Sequence, residues 1–306
     1  MKTAFLFPGQ GAQYLGMGKD LYDNSNIVKE RILEASEILG YDVLDIMTNE
    51  EDKLNQTSYT QPIILTLSVG ILEELESRGI KPDVVAGLSL GEYTALVASK
   101  AIGFKDCVSL VSKRGKFMEE AAPSGTGKMV AIMKAKREII EECCMEASTK
   151  GIVSPANYNT PEQIVIGGEG DAVDMAVSLL KEKGYKRAIP LKVSGPFHTK
   201  ILEPASIKLN AELQKIDFKE FNIPLISNTT SKVMEHSQII PLLTRQVMSP
   251  VLWYDGINTM IDMGVDTFIE VGPGKTLSNF MKKIDKEKVT GNVEDMETLH
   301  HLLSVY

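Results

Sequence analysis

The stretch that decides the fold runs from residue 83 to residue 96: Asp83-Val84-Val85-Ala86-Gly87-Leu88-Ser89-Leu90-Gly91-Glu92-Tyr93-Thr94-Ala95-Leu96. Its first part, 83–87, is a short apolar run of the kind that forms a buried strand, and from 90 to 101 the spacing predicts a helix. Between them lies Gly87-Leu88-Ser89-Leu90-Gly91, a G-x-S-x-G. A sharp strand-to-helix turn needs small residues on both flanks, and it lifts the serine hydroxyl to the N-terminus of the following helix. The free N–H groups and positive end of that helix favour a developing oxyanion. The pattern arises by chance in roughly one in eight chains of this length at average Gly and Ser usage. Its weight therefore comes from the strand before it and the helix after it. The competing reading of Ser89 is a plain N-cap in a tight turn.

Working outward, the same rhythm repeats. Thr3–Phe7 reads as a buried strand ended by Pro8, 61–77 as a helix closed by Gly79, and 225–227 and 267–271 as further strands. Strands separated by helices predict a parallel sheet covered on both faces. One region differs. Here 129–134 is a strand, 136–149 a helix, 153–157 and 163–167 two strands joined across Asn159-Thr160-Pro161, 172–183 a helix, and 187–193 a last strand. This βαββαβ order is the ferredoxin-like pattern. It opens after Pro123-Ser124-Gly125-Thr126-Gly127, a hinge composition. The fold class expected is α/β: a three-layer α/β/α large domain with a mainly parallel sheet, formed by 1–126 and 193–306, with a small ferredoxin-like domain inserted at 127–192. The chain's 306 residues are about twice the ~150-residue prior for one domain, which this arrangement accommodates.

Composition bounds the function. There are 33 basic and 41 acidic residues, a formal charge of −8. That balance argues against general affinity for nucleic acid or an anionic membrane surface. No apolar run approaches the ~20 residues needed to span a bilayer, and Ala4-Phe5-Leu6-Phe7 is shorter than a signal-peptide core of about 7–15 residues. Cys107, Cys143 and Cys144 have neither zinc-type spacing nor an even count. A soluble protein of the reducing cytoplasm, without a metal, is expected.

A serine nucleophile needs a base. His300 and His301 lie in the C-terminal tail and His236 in a polar loop. His198 follows strand 187–193 and the turn Ser194-Gly195-Pro196-Phe197, at the end of a strand where α/β sheets carry their sites. Gly9-Gln10-Gly11 and Gly274-Lys275-Thr276 are not phosphate loops, because the remaining glycines of those motifs fall on Tyr14 and Ile269. The loop after the first strand can instead supply an oxyanion donor, the N–H of Gln10. Arg114 is an ordinary helix-surface charge unless the substrate bears a carboxylate, which a guanidinium fork binds bidentately.

These segments together resemble the malonyl-CoA:acyl-carrier-protein transacylase family of type II fatty acid synthesis. The resemblance rests on FPGQGAQ at 7–13, GLSLGEYTAL at 87–96, KRGKFM at 113–118, ANYNTPEQIVIGG at 156–168, GPFHT at 195–199, RQVMSPVLW at 245–253 and EVGPGKTL at 270–277. It spans nearly the whole chain and implies the same two-part fold. It also implies that Ser89 and His198 are nucleophile and general base, that the amides of Gln10 and Leu90 form the oxyanion hole, and that the main-chain carbonyl of Gln246 orients His198. At Gln246 the side chain is then expected to matter less than the backbone path. By the same resemblance Arg114 pairs with the malonyl carboxylate, and Phe197, Gln61, Asn157, Gln163 and Met118 line the substrate pocket. Phe197 matches a position where malonyl-accepting relatives carry Phe and methylmalonyl-accepting ones carry smaller residues. The chain departs from many family members at Leu88, where they have His.

The activity implied is ping-pong transfer of malonyl from malonyl-CoA to the phosphopantetheine thiol of acyl carrier protein, with both as substrates and no bound cofactor. Two alternatives remain: a trans-acting acyltransferase that loads polyketide synthase carriers, and a serine thioesterase or esterase. Carrier proteins of this pathway are strongly acidic, so a chain of charge −8 needs a local basic rim to meet one. Lys113, Lys116, Lys186, Arg187, Lys192, Lys200 and Lys275 lie near the motifs and are the candidates.

Overall fold

The structure, a computed structural model, describes residues 2–192 and 195–305. Thr3–Phe7 (β1), Val84–Gly87 (β2), Leu225–Ile226 (β7), Thr267–Val271 (β8) and Val289–Val293 (β9) form a five-stranded sheet in the order β7-β2-β1-β8-β9, every neighbour parallel. β1, β2 and β8 are buried at every residue, and so read as continuous apolar runs rather than alternating ones.

The two faces of that sheet belong to different cores. Phe5, Phe7, Val85 and Ile269 point into the larger core, with the Asn26–Leu39, Thr57–Ser77 and Phe104–Ala121 helices. Ala4, Leu6, Val84, Ala86 and Phe268 point the other way, onto Trp253, Ile257 and Met260 of the Trp253–Asp262 helix and onto Leu277 and Met281 of the Thr276–Ile284 helix. Residues alternate between two helical layers, which is the three-layer arrangement expected.

Lys128–Met133 (β3), Val153–Thr160 (β4), Gln163–Gly168 (β5) and Ala188–Pro190 (β6) form a second sheet, wholly antiparallel, in the order β4-β5-β3-β6. With the Arg137–Ala147 and Gly170–Glu182 helices in the two crossovers this is the ferredoxin-like order. Val130, Ile132, Val153, Ile164 and Ile166 pack under those helices. Met129, Ala131, Gln163 and Val165, offset by one, face a cleft toward the large sheet.

Several elements depart from the sequence expectation. The helix foreseen at 61–77 starts at Thr57, so that Pro62 lies within it, in the second turn, rather than at its start. The helix after Ser89 ends at Ala98 rather than 101. The strand foreseen at 187–193 is only Ala188–Pro190, an edge strand whose proline can give no ladder N–H. Val193 of that strand, Ser194 of the turn expected after it, and the domain boundary at 193 lie outside the described residues. β9 and the N-terminal helices Lys19–Asn24, Asn26–Leu39 and Val43–Asn49 had not been foreseen. β9 is VTGNV, exposed or half-buried along most of its length, and carries no apolar run to mark it.

Candidate active site

Ser89 sits in the turn between β2 and the Gly91–Ala98 helix, with φ of 54°. A non-glycine residue holds that left-handed conformation only when its surroundings impose it. Here both flanking glycines are forced. A Cβ on Gly87 would overlap the backbone of Gly91, and one on Gly91 would overlap the carbonyl of Phe7 at the end of β1. Asn228, just past β7, closes the turn: its Oδ1 accepts the Ser89 N–H at 2.6 Å and its Nδ2 donates to the Gly87 carbonyl at 2.6 Å.

His198 is brought to Ser89 by the segment after β6. Its Nε2 lies 2.7 Å from Ser89 Oγ and its Nδ1 2.9 Å from the main-chain oxygen of Gln246. A carbonyl oxygen only accepts, so Nδ1 carries the proton and Nε2 is left to take one from the serine. The backbone of His198 is also left-handed, φ 60°, and its N–H donates to Val247 O at 3.1 Å. Burial first, and the Arg114 charge second, pull its pKa down to about 4, while the bond to Gln246 works the other way. The ring is therefore a neutral base at ordinary pH.

Arg114, on the Phe104–Ala121 helix, is fully buried. Its Nη1 donates to Gln61 Oε1 at 2.6 Å, and its Nη2 to Gln246 Oε1 at 2.9 Å and Ser89 Oγ at 3.2 Å. Its Nε has no partner among the described residues, and its guanidinium stacks 5.2 Å from the Tyr93 ring. Burial lowers its pKa, opposed by Tyr93 and Glu92. No carboxylate makes an ion pair with it among the described residues. This is a buried cation beside a nucleophile, held by neutral acceptors.

The cleft around this centre has a volume of about 770 Å³. Gln10, Ser89, Gln61, Met118, Phe197, His198, Asn157 and Gln163 all line it; Leu90, Arg114 and Gln246 are not among the lining residues, and Arg114 reaches the site through its bonds to Gln61, Gln246 and Ser89. Gln61 Nε2 reaches Met118 Sδ at 3.3 Å and Gln10 Oε1 at 3.4 Å. Asn159 Nδ2 donates to Gln163 Oε1 at 2.9 Å, and Asn159 Oδ1 has no partner among the described residues. The amides of Gln10 and Leu90 make no hydrogen bond among the described residues. Leu88 lines the cleft and packs against the core cluster that includes Trp253, which gives that position an apolar contact where a histidine would have had a polar one. His236 and His301 lie elsewhere, the former bonded to Phe218 O.

Gln246 departs from expectation. Its side chain is central: besides receiving Arg114, its Nε2 donates to Ser89 O at 2.9 Å and to Glu92 Oε2 at 2.6 Å. Glu92, Asn228 and Asn159 were not foreseen as site residues. Asn228 follows a short edge strand of the parallel sheet, and strand C-ends in such sheets carry ligand sites, so Leu225-Ile226-Ser227-Asn228 held a usable signal. Glu92 gave none, since its partners are distant in sequence.

A strained serine at a strand-to-helix turn, bonded to a buried neutral histidine in a cleft, defines an α/β enzyme of the serine acyl-transfer class. Residues 4–301 match the family model described as acyl transferase domain. The chain is 46% identical over 301 residues to the malonyl CoA-acyl carrier protein transacylase of Bacillus subtilis (strain 168), covering 97% of this chain and 95% of that one. Among solved structures it is similar to MCAT from Streptococcus pneumoniae, with 58% identity, full coverage of both chains and a TM-score of 0.98. It is also similar to the malonyl-transacylase solved with its type II PKS acyl-carrier protein, at 39% identity, full coverage and a TM-score of 0.97. The chain belongs to the malonyl CoA-acyl carrier protein transacylase family and is an acyltransferase.

Proposed function

We propose that this enzyme transfers the malonyl group of malonyl-CoA to the phosphopantetheine thiol of an acyl carrier protein through a malonyl-Ser89 intermediate, supplying malonyl carrier protein for fatty acid synthesis. The observation that carries the reading is Arg114, a fully buried guanidinium 3.2 Å from the nucleophile with only neutral acceptors among the described residues. An esterase pocket gains nothing from a buried cation, whereas a malonyl carboxylate gives it a charged partner.

The steps follow from the geometry. His198 Nε2 takes the Ser89 proton as Oγ attacks the thioester carbonyl, and the amides of Gln10 and Leu90 hold the oxyanion. As the intermediate collapses, the C–S bond breaks and the proton on His198 passes to the coenzyme A sulfur. The carrier thiol then enters, gives its proton to His198 and attacks the malonyl-serine; collapse returns that proton to Ser89 Oγ. Nucleophile, base and donors all come from the chain, so the sequence of steps uses no metal or resident cofactor. Phe197, Met118, Asn157 and Gln163 bound the acyl pocket, and the bulk of Phe197 disfavours a branched malonyl group.

We take 1–126 and 193–306 as the catalytic unit and 127–192 as the unit that closes the cleft from the other side. The carrier is expected at a basic rim. Lys192 lines the cleft, and Lys186, Arg187, Lys200 and Lys275 are exposed without an ion pair among the described residues, whereas Lys113 is tied to Glu212. Among the described residues no helix is long and apolar enough to cross a membrane. The three cysteines are buried and free, which accords with a reducing cytoplasm. A second reading, loading of a polyketide synthase carrier, is favoured by the similarity to a transacylase solved with such a carrier; carrier competition separates the two.

The test is intact-protein mass spectrometry after mixing with malonyl-CoA. One malonyl adduct is expected, mapped to Ser89, discharged by holo carrier protein and absent in Ser89→Ala. An adduct that persists in Ser89→Ala, or discharge by water as fast as by carrier, overturns the reading in favour of another nucleophile or a thioesterase.

A further inference from the structure

The first turn of the Gly91–Ala98 helix carries a carboxylate that the steps above do not use. Glu92 is 1% exposed and makes no ion pair among the described residues. Its Oε1 accepts the main-chain N–H of Asn228 at 3.0 Å, and its Oε2 accepts from Gln246 Nε2 at 2.6 Å. A buried carboxylate without a bonded cation is costly: burial pushes the Glu92 pKa up to about 7, against the pull of Asn228, Gln246, the Arg114 charge and the Ser227 hydroxyl. What Asn228 and Gln246 do next is informative. Asn228 holds the nucleophile turn, as described. Gln246 presents its Oε1 to Arg114 Nη2 at 2.9 Å. Glu92 and Arg114 thus occupy the two ends of one carboxamide, and each feels the other's charge across it.

We propose that Glu92 is a positioning residue for malonyl selection: it is the resident counter-charge of Arg114, acting through the Gln246 carboxamide. The inference rests on the malonyl-transfer reading. A carboxamide donates at one end and accepts at the other, whereas a carboxylate only accepts. Glu92 therefore fixes the orientation of Gln246, with nitrogen toward Glu92 and Ser89 O and oxygen toward the guanidinium. Turned over, the amide would set NH₂ against Arg114, leave Ser89 O without its donor, and release one arm of the fork. Meanwhile the main-chain carbonyl of Gln246 would still hold His198. Base and carboxylate fork thus share one residue but depend on different atoms of it, so they can be separated by mutation.

Glu92→Gln performs that separation. The main-chain N–H of Asn228 cannot turn, so the new amide must give it oxygen and offer NH₂ to Gln246, which turns the Gln246 amide over. Acyl-serine formation is measured in parallel with malonyl-CoA and acetyl-CoA. The expected result is a fall in malonyl-over-acetyl preference of at least about tenfold; any loss common to both acyl groups, from the Ser89 O contact, cancels in that ratio. Gln246→Leu should reproduce the fall, because it removes the relay and keeps the carbonyl that orients His198. The double variant should lose no more than the larger single loss. A folded Glu92→Gln or Gln246→Leu whose preference shifts by less than tenfold overturns the proposal. So does an equal fall for both acyl groups, which is what a purely structural carboxylate gives, or losses that multiply in the double variant. If Glu92→Gln does not fold, Gln246→Leu decides. Failure of the wild type to form a malonyl adduct would instead count against the malonyl reading itself.

Discussion

Arg114→Ala measures how much of the malonyl preference one guanidinium supplies. In the free enzyme Nη1 and Nη2 are held by two neutral carboxamide oxygens at 2.6 and 2.9 Å. In the proposed malonyl-Ser89 intermediate the carboxylate would substitute charged acceptors for them. Hydrogen bonds to charged groups contribute about 1.5–3 kcal/mol each, against about 0.5–1.5 for neutral ones. Exchanging two such bonds gives roughly 2–3 kcal/mol, and a malonyl carboxylate left unpaired in the buried pocket brings the loss to roughly 2–4 kcal/mol. That is about 30- to 700-fold in rate at one tenfold step per 1.4 kcal/mol. An acetyl group has no use for the cation, so its transfer should be kept or improved. Arg114 also donates to Ser89 Oγ, but that contact affects both acyl groups and cancels in their ratio. The assay is single-turnover acylation by rapid quench and intact mass, with malonyl-CoA and acetyl-CoA run side by side. A malonyl-to-acetyl ratio that changes by less than about threefold refutes the reasoning, since the fork would then contribute no charged contact that depends on the acyl group.

Other outcomes follow from the same geometry. With the His198 pKa pulled down to about 4, the base stays neutral as pH falls, so the acidic limb of kcat/KM for acylation belongs well below 6.5; a His-dependent limb at 6.5 would contradict the buried, neutral ring. The same depression makes folding weaken between pH 6.5 and 4, where the unfolded chain takes the proton first, by up to roughly 3 kcal/mol at the acid end; His198→Gln should lose that part of the acid sensitivity in urea titrations. Gly91→Ala drives a Cβ into the Phe7 carbonyl and should cost about 3 kcal/mol, a fall in Tm of about 5–10 °C, with acylation reduced; a variant melting within about 1 °C of wild type would show that the turn and β1 separate easily. Charge reversal at Lys186, Arg187 and Lys275 should raise the carrier KM at least about tenfold at low salt and less at high salt. An unchanged KM places carrier docking elsewhere.

The parts of this molecule legible in the sequence are those whose cause is local. β1, β2 and β8 are buried at every residue, so three apolar runs announced them. β7 was read from its apolar pair Leu225-Ile226, whereas β9 lies at the sheet edge with Gly291 and Asn292 within it and carries no pattern of its own. Ser89 was found because its turn demands Gly87 and Gly91, a requirement written in adjacent residues. His198 and Arg114 needed the family resemblance to become more than a turn histidine and a helix charge. Arg114 shows why: on the Phe104–Ala121 helix its neighbours Lys113 and Lys116 are exposed, and only tertiary packing puts this one cation in the dark. Glu92 and the Gln246 side chain escaped for the same reason. Their partners are 136 and 154 residues away in one case and 132 in the other, and no spacing rule reaches that far.

Nucleophile and base share an unusual property: both are non-glycine residues in the left-handed region, at φ 54° and 60°. Such a conformation costs of order 1–3 kcal/mol and persists only where its surroundings over-determine it. The surroundings are the same for both. Asn228 clamps the Ser89 turn from one end of the stretch after β7, while Gln246 and Val247 hold His198 from the other. Between these anchors lies the Ile239–Gln246 helix, buried at Ile239, Leu242, Leu243 and Gln246. A segment that supplies neither nucleophile nor base thus fixes the separation between them. Loosening it at Leu243, which is fully buried, should therefore lengthen the 2.7 Å Ser–His contact and slow acylation for malonyl and acetyl groups alike. Disturbing Glu92 or Arg114 acts instead on their ratio. On the proposed assignment, rate and selectivity would thus be held by different residues that meet at Gln246.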